Sequence, residues 1–295
     1  MPLLVILVLA IVQGITEFLP ISSSGHLVLV HSYFDIASGS ENMWRDQLLL
    51  DIAVHIGTLI SVIVYFRKDV LSMIRAGLNL LNKTRGKSLN NVQSETERAD
   101  SNLMMMVIIA SVPILAFGFI IHLLELPWLR KVEIVAWTTL IFGLLLGIAD
   151  RRPVKFQSIS ALTIPHALFI GMMQALSLIP GTSRSGITMT AARFLGYGRT
   201  QAAHFSLLLA IVATSAVGFL GLYELYKTGD FSFGIDFFLA VTLSFIVGWV
   251  SIRFLMTWLE RCTFMPFVVY RIILGLVLLS IVYADDLVYF TIKLE

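Results

Sequence analysis

The chain has 295 residues, 57% of them hydrophobic and 14% charged, with a formal net charge of +2 and a mean hydropathy of +0.87. A soluble domain is far less apolar and more highly charged, and the near-neutral balance gives no basic surface for a nucleic-acid partner. The single cysteine, Cys262, excludes an internal disulfide and argues against a thiolate metal cluster.

Residues 3–12 have the apolar character of a signal-peptide core. They lack a basic flank before them, and Gln13-Gly-Ile-Thr-Glu17 follows instead of a small-residue cleavage site, so the stretch is expected to be retained. The apolar run 2–34 is broken by Pro20-Ile-Ser22-Ser23-Ser24-Gly25 and reads as two half-length helices joined by a polar turn. At membrane depth such a turn needs burial in protein or contact with water, and a re-entrant hairpin provides this. A span follows at 48–66, then a cytoplasmic loop at 67–102 carrying Arg67, Lys68, Arg75, Lys83, Arg85, Lys87 and Arg98, whose polar part 82–102 is expected to be flexible. Spans at 103–124 and 132–149 complete a first half, 1–150. The second half, 151–295, repeats the order, with a hairpin at 161–196 broken by Pro180-Gly-Thr-Ser-Arg-Ser-Gly186 and spans at 201–223, 236–253 and 266–284. Each span has about the 20 residues a bilayer requires.

The predicted fold is therefore all-α and polytopic, with about six transmembrane helices and two re-entrant hairpins. Arg151, Arg152, Lys155, Arg253 and Arg261 fall on the same side as the basic 67–102 segment, the cytoplasmic one. Asp35, Glu41, Asp46, Glu224, Asp230, Asp236, Asp285 and Asp286 fall outside. The same count enters the two hairpins from opposite faces. Gln13 to Gly25 and Gln174 to Gly186 are both twelve residues apart, with Ser22 matching Ser183 and Ser24 matching Ser185. This predicts an inverted-topology repeat whose site lies where the broken helices meet.

Ionisable groups at membrane depth are expensive, and Glu17 is therefore a functional candidate. Gln13 lies one turn earlier on the same face, so the two can hold a divalent ion or orient a water. Ser22, Ser23, Ser24 and Gly25 at a helix start form a candidate anion cradle, with His26 beside it as a group that titrates near neutrality. Arg184, between Ser183 and Ser185 and close to Gly186, needs an anion; its planar fork suits phosphate, and a pair with Glu17 is compatible with an empty site. Thr182 and Thr188 add hydroxyls. Asp51 and His55 form an i, i+4 pair that either completes a metal site with Glu17 or hydrogen-bonds the first hairpin. Arg193 and Arg199 are expected to mark a hairpin exit, His122, His166 and His204 to be interfacial, and Met104, Met105 and Met106 to pack or face lipid. The inventory is what phosphoryl transfer uses. No Gly-x4-Gly-Lys-Ser/Thr motif is present, so no nucleotide is implied.

Gln13-Gly-Ile-Thr-Glu-Phe-Leu-Pro-Ile-Ser-Ser-Ser-Gly-His26 and Pro180-Gly-Thr-Ser-Arg-Ser-Gly-Ile-Thr188 resemble the two signatures of the bacterial undecaprenyl pyrophosphate phosphatases of the bacitracin-resistance type, and Asp51-Ile-Ala-Val-His-Ile-Gly-Thr58 resembles a third segment. The resemblance implies hydrolysis of the C55 isoprenoid pyrophosphate carrier to its monophosphate, recycling it for cell-wall synthesis and conferring bacitracin resistance. It also implies a divalent cation (Mg²⁺ or Ca²⁺), the bacterial inner membrane, a site open to the periplasmic side and, from the family alone, a homodimer. By position it places the family's metal-binding pair on Gln13 and Glu17, its proposed nucleophile on Ser23, its histidine on His26 and its phosphate-binding arginine on Arg184. Two positions depart from the family: Gln13 replaces a carboxylate, and His204 and Val212 stand where Glu and Pro are usual.

A lipid phosphatase of the phosphatidic-acid type is rejected. The position of its histidine nucleophile is Thr190, and no Lys-x6-Arg-Pro element precedes Ser24-Gly-His26. A lipid-carrier flippase would use the same inverted-repeat cleft and is the alternative of a different class. Ser23, His26 and an activated water all stand as the attacking group.

Overall fold

The computed structural model describes residues 3–38, 43–84, 94–124, 127–228 and 234–284. Among these the chain is helical: α1 Leu3–Thr16, α2 Ser23–Ser38, α3 Met43–Tyr65, α4 Arg67–Thr84, α5 Glu95–Leu124, α6 Val132–Asp150, α7 Ile164–Ala175, α8 Arg184–Leu195, α9 Arg199–Thr228, α10 Ile235–Arg261 and α11 Met265–Val282. Six helices are long and apolar enough to cross a membrane: α3 from Leu48, α5, α6, α9, α10 and α11. The pairs α1–α2 and α7–α8 are shorter, and each is interrupted where Ser, Gly and Pro cluster.

Residues 67–102 differ from the expected loop. Residues 67–84 form α4, and α5 starts at Glu95, eight residues before the predicted span boundary at 103. The start is a capping box: Ser94 Oγ accepts from Glu97 N at 3.2 Å, and Glu97 Oε2 accepts from Ser94 N at 3.0 Å. Reading polarity as loop missed this local chemistry. Of the charges used for topology, Glu41, Arg85, Lys87, Asp230, Asp285 and Asp286 lie outside the described residues, as do the side chains of Asp35, Asp46 and Lys83.

The first short helix of each pair is held by a span from the other half of the sequence. α1 packs along α10, and α7 along α5, while α3 lies against α9 and α10 and α6 against α11. Small residues allow the approach: a Cβ on Gly14 would meet Val247 at 2.7 Å, and one on Gly171 would meet Ala110 Cα at 2.8 Å. Apolar side chains such as Ile108, Val112, Phe119, Phe219, Ile246 and Ile273 are exposed on the outer surface of the bundle, as lipid contact requires. Phe18, Val62, Ile170 and Phe205 fill the main core between the hairpins and spans, and Met106 is buried there while Met105 is exposed.

The charged groups near helix ends are mostly structural. Arg193 is buried rather than marking an exposed exit. It donates to Tyr197 O (2.6 Å), Asp150 O (2.9 Å) and Arg152 O (2.5 Å), and Asp150 also accepts from Arg199 Nε (2.6 Å) and Phe264 N (3.1 Å). This bracket ties the ends of α6 and α8 to the starts of α9 and α11. His166 Nδ1 lies 2.7 Å from the Tyr197 hydroxyl, which donates to Ala161 O and which burial pushes up to about 12 in pKa, so it stays protonated. His204 stacks on Phe66 and sits 3.4 Å from Asp69; His122 sits 4.0 Å from Glu224.

Candidate active site

The two polar loops are built alike. Ser22 and Ser183 each precede a helix with φ of +78° and +71°, a left-handed backbone unusual for a residue with a side chain. Each caps the helix that follows: Ser22 Oγ accepts from Gly25 N at 3.2 Å, and Ser183 Oγ from Gly186 N at 3.0 Å. Ser24 Oγ lies 3.4 Å from Ser22 Oγ, and Ser185 Oγ lies 3.2 Å from Ser183 Oγ. In both loops the hydroxyls and free N–H groups of a helix start are gathered in one place, which favours an anion.

Between the loops sits Glu17, whose carboxylate collects four donors. One oxygen accepts from Arg184 Nη2 (3.0 Å) and Thr214 Oγ1 (3.3 Å), and the other from Ser23 Oγ (2.8 Å) and Gln13 Nε2 (3.1 Å). Arg184 is oriented by a second acceptor, Ser206 O at 2.9 Å, and Thr188 Oγ1 lies 2.7 Å from Ser206 Oγ. Ser185 Oγ donates to Leu19 O at 2.9 Å and joins the loops a second time. The carboxylate predicted on the first hairpin and the guanidinium predicted on the second thus meet directly.

His26 faces elsewhere. Its Nδ1 lies 2.6 Å from Ser22 O, and since a carbonyl only accepts, Nδ1 carries the proton. Nε2 then accepts from the Tyr270 hydroxyl at 2.6 Å, with the two rings stacked. The Nε2 lone pair is therefore engaged by α11, and not directed at Ser23 or Glu17.

Asp51 and His55 are not brought onto Glu17 by hydrogen bonds. Asp51 pairs with His31 Nε2 at 3.0 Å, and His55 Nδ1 donates to Asp51 O at 2.6 Å. Both line a cavity of about 680 Å³ that reaches Ser23 and Ser24 and is also walled by His31 and Pro180. No group of three or more His, Cys, Asp or Glu side chains suited to a metal occurs among the described residues. Oxygen donors are nonetheless gathered at Glu17: Gln13 is fully buried and its Oε1 has no hydrogen-bond partner. Its Nε2 faces Glu17 as the amide stands; turned over, the amide would set that oxygen toward the carboxylate and the Ser23 hydroxyl, a donor set that suits a hard divalent cation.

The residues 6–277 match the family model described as "Bacitracin resistance protein BacA". The chain belongs to that family. Curated relatives named undecaprenyl-diphosphatase include those of Saccharophagus degradans, 40% identical over 277 residues covering 93% of this chain and 96% of the relative, and Hahella chejuensis, 41% identical over 279 residues covering 94% and 97%. A third, from Jannaschia sp., is 39% identical and spans 96% of this chain and the whole of its own length.

Sequence reasoning missed four members of this BacA-family site. Thr214 and Ser206 gave no signal, being single hydroxyls inside an apolar span. Tyr270 and Arg271 of α11 did give one. Arg271 is an ionisable residue inside a predicted span, the same criterion that singled out Glu17. It is fully buried and donates from Nε to Thr139 O (3.1 Å), from Nη2 to Gly181 O and Thr182 O (both 2.9 Å), and from Nη1 to Pro20 O (3.4 Å).

Proposed function

We propose that this chain hydrolyses undecaprenyl pyrophosphate to undecaprenyl phosphate and inorganic phosphate within the bilayer, and that Glu17, Ser23 and Arg184 carry the reaction. The observation that supports this most directly is the single carboxylate of Glu17, which touches both the Ser23 hydroxyl at 2.8 Å and the Arg184 guanidinium at 3.0 Å. Nucleophile, base and phosphate clamp share one hydrogen-bonded chain.

The terminal phosphate displaces Glu17 from Arg184 and takes the guanidinium for its own oxygens, with Ser183, Ser185, Thr188 and the first N–H groups of α8 completing the clamp. Freed of its cationic partner, the Glu17 carboxylate becomes a stronger base while still hydrogen-bonded to Ser23. The Ser23 oxygen attacks the terminal phosphorus, its proton passes to Glu17, and the anhydride P–O bond breaks to release the lipid monophosphate. A water then attacks the phosphoserine, returning the serine and releasing phosphate. Ser22, Ser24 and Gly25 line the first side of the cradle. His26 holds the turn through Ser22 O, and its remaining nitrogen is occupied by Tyr270, which favours Ser23 over His26 as the attacking group. A divalent cation held by Glu17, Gln13 Oε1 and the substrate oxygens would neutralise phosphate charge.

The setting follows from the same reading. The isoprenoid tail stays in lipid, and the cavity beside Ser23 opens at the end that carries His122 and Glu224, the side predicted to be periplasmic in an inner membrane. The exchanged packing, α1 on α10 and α7 on α5, supports an inverted duplication of halves 1–150 and 151–295. Incubation of the purified protein with labelled farnesyl pyrophosphate in detergent with Mg²⁺ or Ca²⁺ tests the proposal. Phosphate release with labelled phosphate trapped on Ser23 is the expected result; no release would remove the enzyme reading, and release with no label on any residue would replace Ser23 by a water.

A further inference from the structure

A guanidinium in a membrane interior needs partners, either an opposite charge or backbone carbonyls. Arg271 has no carboxylate within ion-pair distance among the described residues; every partner is a backbone carbonyl. Those carbonyls belong to three separate pieces of chain: Pro20 in the first loop, Gly181 and Thr182 in the second, and Thr139 in α6. The side chain also lies directly beneath the start of α8, since a Cβ on Gly186 would come 2.8 Å from its Nη1. Removing it leaves three carbonyls of two non-helical turns, and one of α6, without these donors in a place water reaches poorly, where each unmade hydrogen bond is costly.

We propose that Arg271 is a positioning residue for hydrolysis, which locks the first loop to the second so that Ser23 and Glu17 face the phosphate held by Arg184. It does not touch the reacting atoms. Its planar fork with five N–H donors spans acceptors that a lysine, with one nitrogen, cannot reach together. Loss of this lock leaves the phosphate clamp on α8 intact and lets the first loop drift. Binding is then kept while the chemical step slows, and a displacement of about 1 Å at reacting groups is worth roughly 10²-fold in rate.

The inference rests on the assignment of Glu17, Ser23 and Arg184 above, so Glu17→Gln is run beside it. In phosphate-release assays on detergent-purified full-length protein, Arg271→Met is expected to lower kcat by about 10²-fold with KM changed only severalfold. Arg271→Lys, which keeps the charge, is expected to restore little. Combining Arg271→Met with Glu17→Gln is expected to add little to the loss from Glu17→Gln alone, since a misplaced base and an absent base fail alike. A near-normal kcat in folded Arg271→Met, full recovery in Arg271→Lys, or independent, multiplicative losses in the double variant would each overturn the proposal. Where Arg271→Met does not fold, Gly143→Ala decides: its Cβ would sit 2.8 Å from Arg271 Cβ and push the side chain aside without removing it. A fall in kcat at unchanged KM supports the lock, and unchanged kcat overturns it. Activity retained by Glu17→Gln would instead overturn the site assignment, and this inference with it.

Discussion

Replacing Glu17 by glutamine separates charge from shape at the joint of the two loops. The carboxylate offers both oxygens to donors, Arg184 and Thr214 on one side and Ser23 and Gln13 on the other. An amide of the same length has only one oxygen, so whichever way it turns, its NH2 faces two donors. If the oxygen stays with Arg184, the Ser23 hydroxyl loses its acceptor; if it stays with Ser23, Arg184 loses its partner. Breaking a buried ion pair by removing one member costs about 3–5 kcal/mol. Arg184 keeps Ser206 O at 2.9 Å and is 12% exposed, which places the loss of stability at the lower end, about 3 kcal/mol. Turnover should fall further, because a positioned general base contributes about 10²–10⁴-fold. Phosphate release at saturating farnesyl pyrophosphate gives kcat, and a melting curve on the same preparation separates lost chemistry from lost fold. A fall in kcat of less than about tenfold, about 1.4 kcal/mol of barrier, would refute the role of Glu17 as base.

Three further variants test other parts of the site. Ser23→Ala is expected to abolish trapping of labelled phosphate and to lower turnover by orders of magnitude; substantial residual turnover would exclude a phosphoserine intermediate. Arg184→Lys is expected to lower kcat by about 10²–10³-fold, the scale of one lost transition-state donor, because an ammonium cannot grip two phosphate oxygens in a plane; steady-state kinetics near those of the parent would remove Arg184 from the clamp. Asp150→Asn breaks the bracket with Arg193, Arg199 and Phe264 N far from the chemistry. It is expected to cost about 3 kcal/mol of stability with normal kcat in the folded fraction, so a melting shift accompanied by lost turnover per folded molecule would contradict a purely structural role.

Much of this arrangement is legible from residue types. Long apolar runs mark the six spans, because a bilayer demands about 20 residues and tolerates few charges. The two broken runs stand out because Pro, Gly and clustered hydroxyl residues, three serines in one and Thr182, Ser183 and Ser185 in the other, do not continue an apolar helix without a purpose. Glu17 and Arg184 are visible as charges out of place, and their meeting follows from opposite entry of the hairpins. Other features depend on three-dimensional placement. Sequence spacing puts His26 beside Ser23 and Ser24, yet ring orientation is set by Ser22 O and by Tyr270, 244 positions away. Asp51 and His55 share a helical face with two expected roles, and it is placement that selects the bond to the first hairpin, from Asp51 to His31 of α2. Polar composition concealed the start of α5, since the capping box at Ser94 and Glu97 outweighs polarity. Arg271 was detectable by the rule that found Glu17, and only its web of carbonyls shows what the charge is for.

The bond between Glu17 and Arg184 joins residues 167 positions apart. On the ribosome the first hairpin emerges long before its cation exists, by about ten seconds or more at 5–20 residues per second. Through that interval a carboxylate bound for the bilayer interior has no Arg184 to meet it. The first hairpin must therefore wait near the surface, or enter with its acid protonated, until α8 is made. The site is thus completed late: Glu17 meets its cation only after α8 is made, and the two loops are tied through Arg271 only once α11 follows.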